Sequence, residues 1–349
     1  MAAPLVSVVV RSSARASLAA ALQCIGAQTY PSLEAVVVAA SGASHPPVPA
    51  TVGPHAVRFV ASDTPLSRPA AANAGLDAAR GDWITFLDDD DLIDPTHVDG
   101  LAAVAQKSRH KVVCALARVR LADGSRQNWG QPFALTELYL RNFLHLSTVL
   151  FSRAMPAAGC RFDVEFEIMQ DWDFFLQMAQ HTVFQSTGLR TFEWHADAGT
   201  SGTGGDVNSD SERFARFRDR IYAKWRPARD ALAARVEPLL AGAANDIAAA
   251  NWQRAEARCE EALKIARNEP DALDMLAMLM HRSGRGEEGV AIQSLAATIR
   301  PYEPSYVFHL ARMLLDRGER DRALRLAREA LRLAPDYAPA AQFLAALAP

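Results

Sequence analysis

The short apolar run Trp83-Ile84-Thr85-Phe86-Leu87 is followed at once by Asp88-Asp89-Asp90-Asp91. A strand that ends in four carboxylates has to come to the surface there, at the rim of a sheet. Four adjacent like charges repel and are costly to hold together. A divalent cation among them makes them tolerable. Hard ions such as Mg²⁺ and Mn²⁺ choose carboxylate oxygens and keep positions open for substrate phosphates. The run therefore points to a metal, and the metal to a phosphorylated substrate; a solvated acidic turn is the alternative.

With 349 residues, half of them apolar, the chain can bury a sizeable core and has room for about two domains. A net charge of −3 argues against nucleic acid as a partner, since such proteins usually show a basic face. Cys24, Cys114, Cys160 and Cys259 are far apart in sequence, with no CxxC and no histidine cluster beside them, so zinc is not expected. Scattered cysteines suit a reducing cytosol. The first residues lack the basic start and apolar core of a signal peptide, and no apolar stretch is long enough to cross a membrane. The expected location is cytoplasmic, with a membrane-surface contact left open.

Residues 5–10 read as a buried strand, 16–28 as a helix, and 33–38 and 57–61 as further strands. Ser67 and Pro69 open a helix that Gly81 closes, and 82–87 is a fourth strand. Strands alternating with helices imply a parallel α/β sheet, in which ligands bind beyond the carboxyl ends of the strands. The aspartates lie at such an end. Asp94 is expected to cap a helix with Pro95 in its first position, which takes Asp94 out of the site. Residues 135–144 and 170–180 read as helices; 147–151, 182–184 and 189–194 read as strands. Residues 199–205, rich in Gly, Ser and Thr, read as a lid or a linker.

Beyond about Ser209 the chain turns Ala- and Arg-rich and helical. Leu276-Ala277, Leu310-Ala311 and Leu344-Ala345 recur at one fixed spacing, which Ala262, Ala296 and Ala330 share, as do Gly284 and Gly318, and Pro301 and Pro335. That spacing matches the helix-turn-helix period of about 34 residues that marks tetratricopeptide repeats, with an Ala-rich bundle as the alternative. The expected architecture is an α/β domain over residues 1–220 and a helical linker with tetratricopeptide-like repeats over 221–349.

The first two thirds of the chain resembles the family 2 glycosyltransferases of the GT-A fold. Val6-Ser7-Val8-Val9-Val10 is similar to the family's opening strand, and Gln28-Thr29-Tyr30-Pro31 with Glu34-Ala35-Val36-Val37-Val38 to its second. Asn73-Ala74-Gly75-Leu76, Ala79-Arg80-Gly81-Asp82 and Phe86-Leu87-Asp88-Asp89-Asp90-Asp91 resemble the segment leading into the metal-binding DxD. Gln170-Asp171-Trp172-Asp173 resembles the segment with the catalytic base, and Trp194-His195 with Thr200-Ser201 the site-closing histidine segment.

The resemblance implies an inverting transfer of sugar from a nucleoside diphosphate to a glycan, lipid-linked or protein acceptor. It implies Mn²⁺ or Mg²⁺ held by Asp88, Asp90 and His195. A cation there neutralises charge building on the leaving phosphate. Asp88 and Asp89 would stand on the donor side, Asp88 at the ribose or a metal-bound water. Strand-end alternation favours Asp88 and Asp90 over the residues between and after them, so Asp89 and Asp91 also suit a turn. Arg68 would meet the pyrophosphate and Asn73 the donor loop. Asp171 would be the base taking the acceptor proton, with Asp173 in reserve.

Two departures stand out. Gln170 replaces the family's usual Glu, and Ala39-Ala40-Ser41-Gly42 replaces an acidic pair that reads the base, which leaves the nucleotide open. Arg11 stands where the family more often has proline. The competing readings are a GT-A scaffold without catalysis whose repeats recruit a protein partner, and a nucleotidyltransferase, disfavoured by the lack of a Lys-bearing phosphate loop.

Overall fold

The computed structural model describes residues 3–121, 123–195 and 211–347. Two compact units emerge: Met1–Gln131 with Arg141–Trp225, and Pro132–Leu140 with Arg226–Pro349. The first unit ends at Trp225, and the second takes in a short segment from much earlier in the chain.

In the first unit, β1 (Val6–Ser12), β2 (Leu33–Ala39), β3 (Thr51–Val52), β4 (His55–Val60) and β5 (Trp83–Phe86) alternate with α1 (Leu18–Gly26) and α2 (Arg68–Ala78). Then follow β6 (Leu92–Ile93), α3 (His97–Lys107), β7 (Val112–Cys114), β8 (Ala117–Arg120) and β9 (Arg126–Trp129). After α4 (Leu135–Leu138) come β10 (Val149–Ser152), α5 (Ala154–Ala157), α6 (Gln170–Ala179), β11 (Phe184–Ser186) and β12 (Phe192–His195). The larger sheet has the order β11-β7-β10-β5-β1-β2-β4-β3. Its centre is parallel, β5 to β1 to β2 to β4, as the β-α alternation requires. β10 enters antiparallel between β5 and β7, so the sheet is mixed. A second sheet runs β6-β12-β8-β9. The first unit is thus an α/β domain built on a mixed sheet. β1 and β2 are buried almost throughout, as the central strands of a parallel sheet are.

Several local expectations change. α2 ends at Ala78, and Gly81 serves a close approach instead: a Cβ there would lie 2.5 Å from the Ser7 nitrogen and 2.6 Å from the Trp83 carbonyl oxygen. Asp94 does not cap a helix. α3 starts after Thr96, and the Asp94 carboxylate accepts from Arg118 at 2.8 Å. The helix expected over 135–144 lasts one turn, Leu135–Leu138, and further on the Asn142 side chain accepts the Leu144 N–H at 3.0 Å in a local turn.

The second unit is helical. The long α7 (Ser211–Ala248) runs into it, followed by α8 (Trp252–Ile265), α9 (Pro270–Arg282), α10 (Gly286–Ile299), α11 (Pro304–Asp316), α12 (Arg320–Leu333) and α13 (Ala338–Ala346). Helix starts keep one period, at Trp252, Gly286 and Arg320 and again at Pro270, Pro304 and Ala338. Ala262, Ala296 and Ala330 are fully buried where neighbouring helices meet. Segment 132–140 is fixed by its polar groups. Asn268 donates to the Phe133 carbonyl at 2.7 Å, and the fully buried Glu137 accepts from Arg300 Nε at 2.6 Å and from the Tyr302 hydroxyl at 3.1 Å.

Removing one partner of a buried ion pair leaves a charge without compensation, at a cost of roughly 3–5 kcal/mol. Arg300→Ala is therefore expected to destabilise the helical unit by about that amount in chemical unfolding. Arg300→Lys should recover part of it. An unchanged midpoint for Arg300→Ala would show that Glu137 is not held in this way.

Candidate active site

β1 and β5 are parallel neighbours, with Val6 opposite Trp83 and Val9 opposite Phe86. Both deliver the residues that follow them to the same sheet edge. β5 stops at Phe86, and the aspartates form a turn closed by Asp91 N–H donating to the Asp88 carbonyl at 3.2 Å. The expected strand-end alternation of their side chains is thereby corrected. In the turn each carboxylate meets a partner, and Asp89 and Asp90 share one, Arg15 Nη1.

Asp88 is gripped by Arg11 from the end of β1. Arg11 Nε and Nη2 donate to its two oxygens at 2.7 to 3.0 Å. Burial pushes the Asp88 carboxyl up, but Arg11 more than offsets this, and the net shift is down. Asp89, only 1% exposed, turns inward. It accepts the Ser13 N–H at 2.9 Å and Arg15 Nη1 at 2.7 Å, and lies 3.2 Å from the Ser12 hydroxyl. Ser12 in turn meets His45 Nε2 at 2.8 Å. So Asp89 is not on the donor side. It anchors the loop after β1, where Ala14 holds φ +62°. Asp90 accepts from the same Arg15 Nη1 at 2.9 Å. Burial and the nearby Asp88 raise its pKa.

Asp91 is buried, with His145 Nε2 at 3.8 Å. His145 Nδ1 accepts the Ser147 N–H at 3.2 Å, which puts the ring proton on Nε2. The ring stacks on Phe192 with centroids 4.4 Å apart. Burial takes its pKa down to about 4, against the pull of Asp88. The imidazole is therefore neutral and presents a donor toward the acidic turn.

Asp171 is the second residue of α6, whose N-cap Met169 holds φ +59°. Non-glycine residues with positive φ carry strain of about 1–3 kcal/mol and cluster at functional sites. Among the described residues of this unit there are two, Ala14 and Met169, and both adjoin the acidic cluster. Asp171 accepts the Trp172 N–H at 2.9 Å and Asn142 Nδ2 at 3.3 Å. Burial raises its pKa, with Arg11 and Arg68 pulling the other way. Arg68, the first residue of α2 behind its Ser67 cap, stands in the field of Arg11, Arg15, Asp88 and Asp171. Burial and the repulsion of Arg11 lower its pKa, yet a guanidinium remains charged.

The fold thus brings together Arg68, Asp88, Asp90 and Asp171. It places Asn73 elsewhere. Its amide pairs with the Phe162 backbone, Nδ2 to the carbonyl at 2.7 Å and Oδ1 from the N–H at 3.0 Å, which ties α2 down. Asp173 is fully buried and consumed by Lys224, Gln177 and Trp225, so it is no reserve base. His195 is in β12 opposite Arg120; its side chain and Thr200-Ser201, with the Gly-rich run 199–205, lie outside the described residues. Sequence reading missed Arg15, Asn142 and His145. Arg15 stood shortly after Arg11 as a signal. His145 and Asn142 fell between expected elements and gave none.

Residues 7–165 match the family model described as Glycosyl transferase family 2. The match spans somewhat less than half of the chain, and over it the chain is similar to the family 2 glycosyltransferases. No curated protein matches the chain significantly. Among solved structures, S. aureus TarS 1–349 in complex with UDP-GlcNAc is 14% identical over 94% of this chain and 86% of its own, with a TM-score of 0.48. A Thermobaculum terrenum O-GlcNAc transferase mutant is 28% identical over 31% of this chain, which spans only 21% of that protein, at a TM-score of 0.31. PcrH from Pseudomonas aeruginosa is 24% identical over 32% of this chain and 89% of its own, at 0.30. At these scores the likenesses carry no functional weight.

Family 2 glycosyltransferases often use a divalent ion, and the donor set here does not fit one. Among the described residues no three His, Cys, Asp or Glu side chains converge on a point. Asp88 and Asp90 each hold an arginine. A dication about 4 Å from one guanidinium is repelled by roughly 8 kcal/mol at an effective dielectric of about 20, and here it would face two.

The raised pKa of Asp171 has a stability consequence. A carboxyl that ionises later in the folded state than in the unfolded one supports the fold at low pH. That support is lost as pH rises from the unfolded value through the folded one. Relative to wild type, Asp171→Asn should gain stability as the pH rises from about 4 to about 7 in thermal unfolding. A difference that moves the other way would mean that the carboxylate is well solvated or strongly paired.

Proposed function

We propose that the glycosyltransferase domain moves a sugar, with inversion, from a nucleoside-diphosphate donor to an acceptor hydroxyl, with Asp171 as the base. The observation that carries this is Asp171 itself. It is a desolvated carboxylate, oriented by Asn142 and by the N–H of Trp172, in the same electrostatic neighbourhood as Arg11 and Arg68. The acceptor oxygen attacks the anomeric carbon as the bond from that carbon to the phosphate oxygen breaks. The acceptor proton passes to Asp171, and the nucleoside diphosphate leaves with the bonding pair. Burial raises the basicity of the carboxylate toward the working pH, which favours proton transfer.

On the donor side Asp88 and Arg68 are read as the residues that meet the nucleotide. Mn²⁺ or Mg²⁺ at Asp88, Asp90 and His195 is the family's usual device, but with the arginines where they are, no step is written through it. The helices that recur at a fixed period are read as tetratricopeptide-type repeats. They offer a surface to a protein partner, or to an acceptor carried on a glycan, lipid or protein. No helix among the described residues is long and apolar enough to cross a membrane. The second reading, a scaffold without catalysis, draws on Gln170, whose Oε1 is buried without a partner where the family has a charged Glu.

Thermal-shift titration with UDP, GDP, CDP and dTDP tests donor binding. At least one should stabilise the protein. Asp171→Asn should bind that nucleotide as wild type does while turnover falls by about 10²–10⁴-fold, the usual contribution of a general base. Normal turnover in that variant would remove Asp171 from the role.

A further inference from the structure

We propose that Arg11, Arg15 and Arg68 hold the donor's diphosphate in place of a divalent cation, so that nucleotide binding is independent of metal. The inference deepens the functional reading above and rests on it. Three observations carry it.

The first is how the acidic turn is neutralised. β1 and the loop after it send in two guanidiniums. Arg11 takes both oxygens of Asp88, and Arg15 bridges Asp89 and Asp90 through one nitrogen. A single cationic nitrogen thus sits between two carboxylate oxygens of the acidic turn. The protein has supplied its own counter-charge.

The second is donor capacity left over. The Arg11 side chain is only 8% exposed, yet its Nη1 is buried with no hydrogen-bond partner. An orphan N–H on a buried guanidinium is expensive unless a ligand completes it. The guanidinium lies over the Phe86 ring, 5.9 Å from its centroid, which limits its freedom to turn elsewhere.

The third is Arg68. Among the described residues it forms no ion pair, although it stands in the field of Asp88 and Asp171 and of two other arginines. It is the first residue of an eleven-residue helix, where the N-terminal N–H groups and the dipole add to its attraction for an anion. Three cations that repel one another are held close together, one of them without a carboxylate of its own. A diphosphate is the anion that relieves this, because guanidinium forks match phosphate oxygens in pairs.

The test measures binding of UDP, GDP, CDP and dTDP to the full-length protein by calorimetry, once in EDTA and once in MnCl₂. The expected result is that the best nucleotide binds in EDTA with an affinity within about threefold of that in Mn²⁺. Arg68→Ala should weaken binding at least tenfold in both media. Arg68→Lys, which keeps the charge and loses the fork, should fall between. Arg68 makes no ion pair among the described residues, so its loss leaves no buried carboxylate behind, and circular dichroism will show the variant folded. Binding that appears only with Mn²⁺ would overturn this inference and leave the glycosyltransferase reading standing. So would an Arg68→Ala protein that binds like wild type. Silence of all four nucleotides in both media would overturn both.

Discussion

Four carboxylates at one sheet edge are a liability, and the loop after β1 exists in its observed form to meet it. Asp89 is the pivot. It is buried, and its oxygens accept from the backbone of Ser13 and the side chain of Arg15. That fastening holds Ala14 in left-handed backbone and sets both Arg11 and Arg15 against the acidic turn. Electrostatics here is a local matter of matched pairs. It explains how so dense a cluster can stand in a chain whose net charge is close to neutral.

Much of the fold was legible in the sequence, and the reasons are simple. β1 and β2 are buried on both faces, so their runs of valine had one reading. The regular spacing of Ala262, Ala296 and Ala330 marks small residues where helices touch, a constraint that survives heavy substitution elsewhere. What failed was local. The Asn142 side chain fixes a local turn within the stretch that reads as helix, which propensity alone does not register. Gly81 reads as a helix stop because glycine usually is one, while its true constraint comes from Ser7, on a strand formed much earlier in the chain.

The site was legible in part. Asp88, Asp90, Asp171 and Arg68 come from separate stretches of the chain, and the fold brings them into one electrostatic neighbourhood. Charge partners were not. The sequence suggested a cation among the aspartates without saying whose, because Arg11 and Asp88 are distant along the chain and only β-sheet pairing brings the two together. Asn73 and Asp173 mislead for a related reason: a polar residue near a motif is as often a structural staple as a ligand.

Glu137 has a consequence for how the chain comes into being. Its partner Arg300 lies 163 positions later. At a synthesis rate of about 5–20 residues per second, segment 132–140 waits roughly 8–30 seconds on the ribosome for the helices that complete it. During that interval an acidic side chain and its apolar neighbours Phe133 and Ala134 have no home. The nascent chain therefore passes through a stage at which a strip within it is still exposed while earlier strands have already paired, a natural point for a chaperone to intervene.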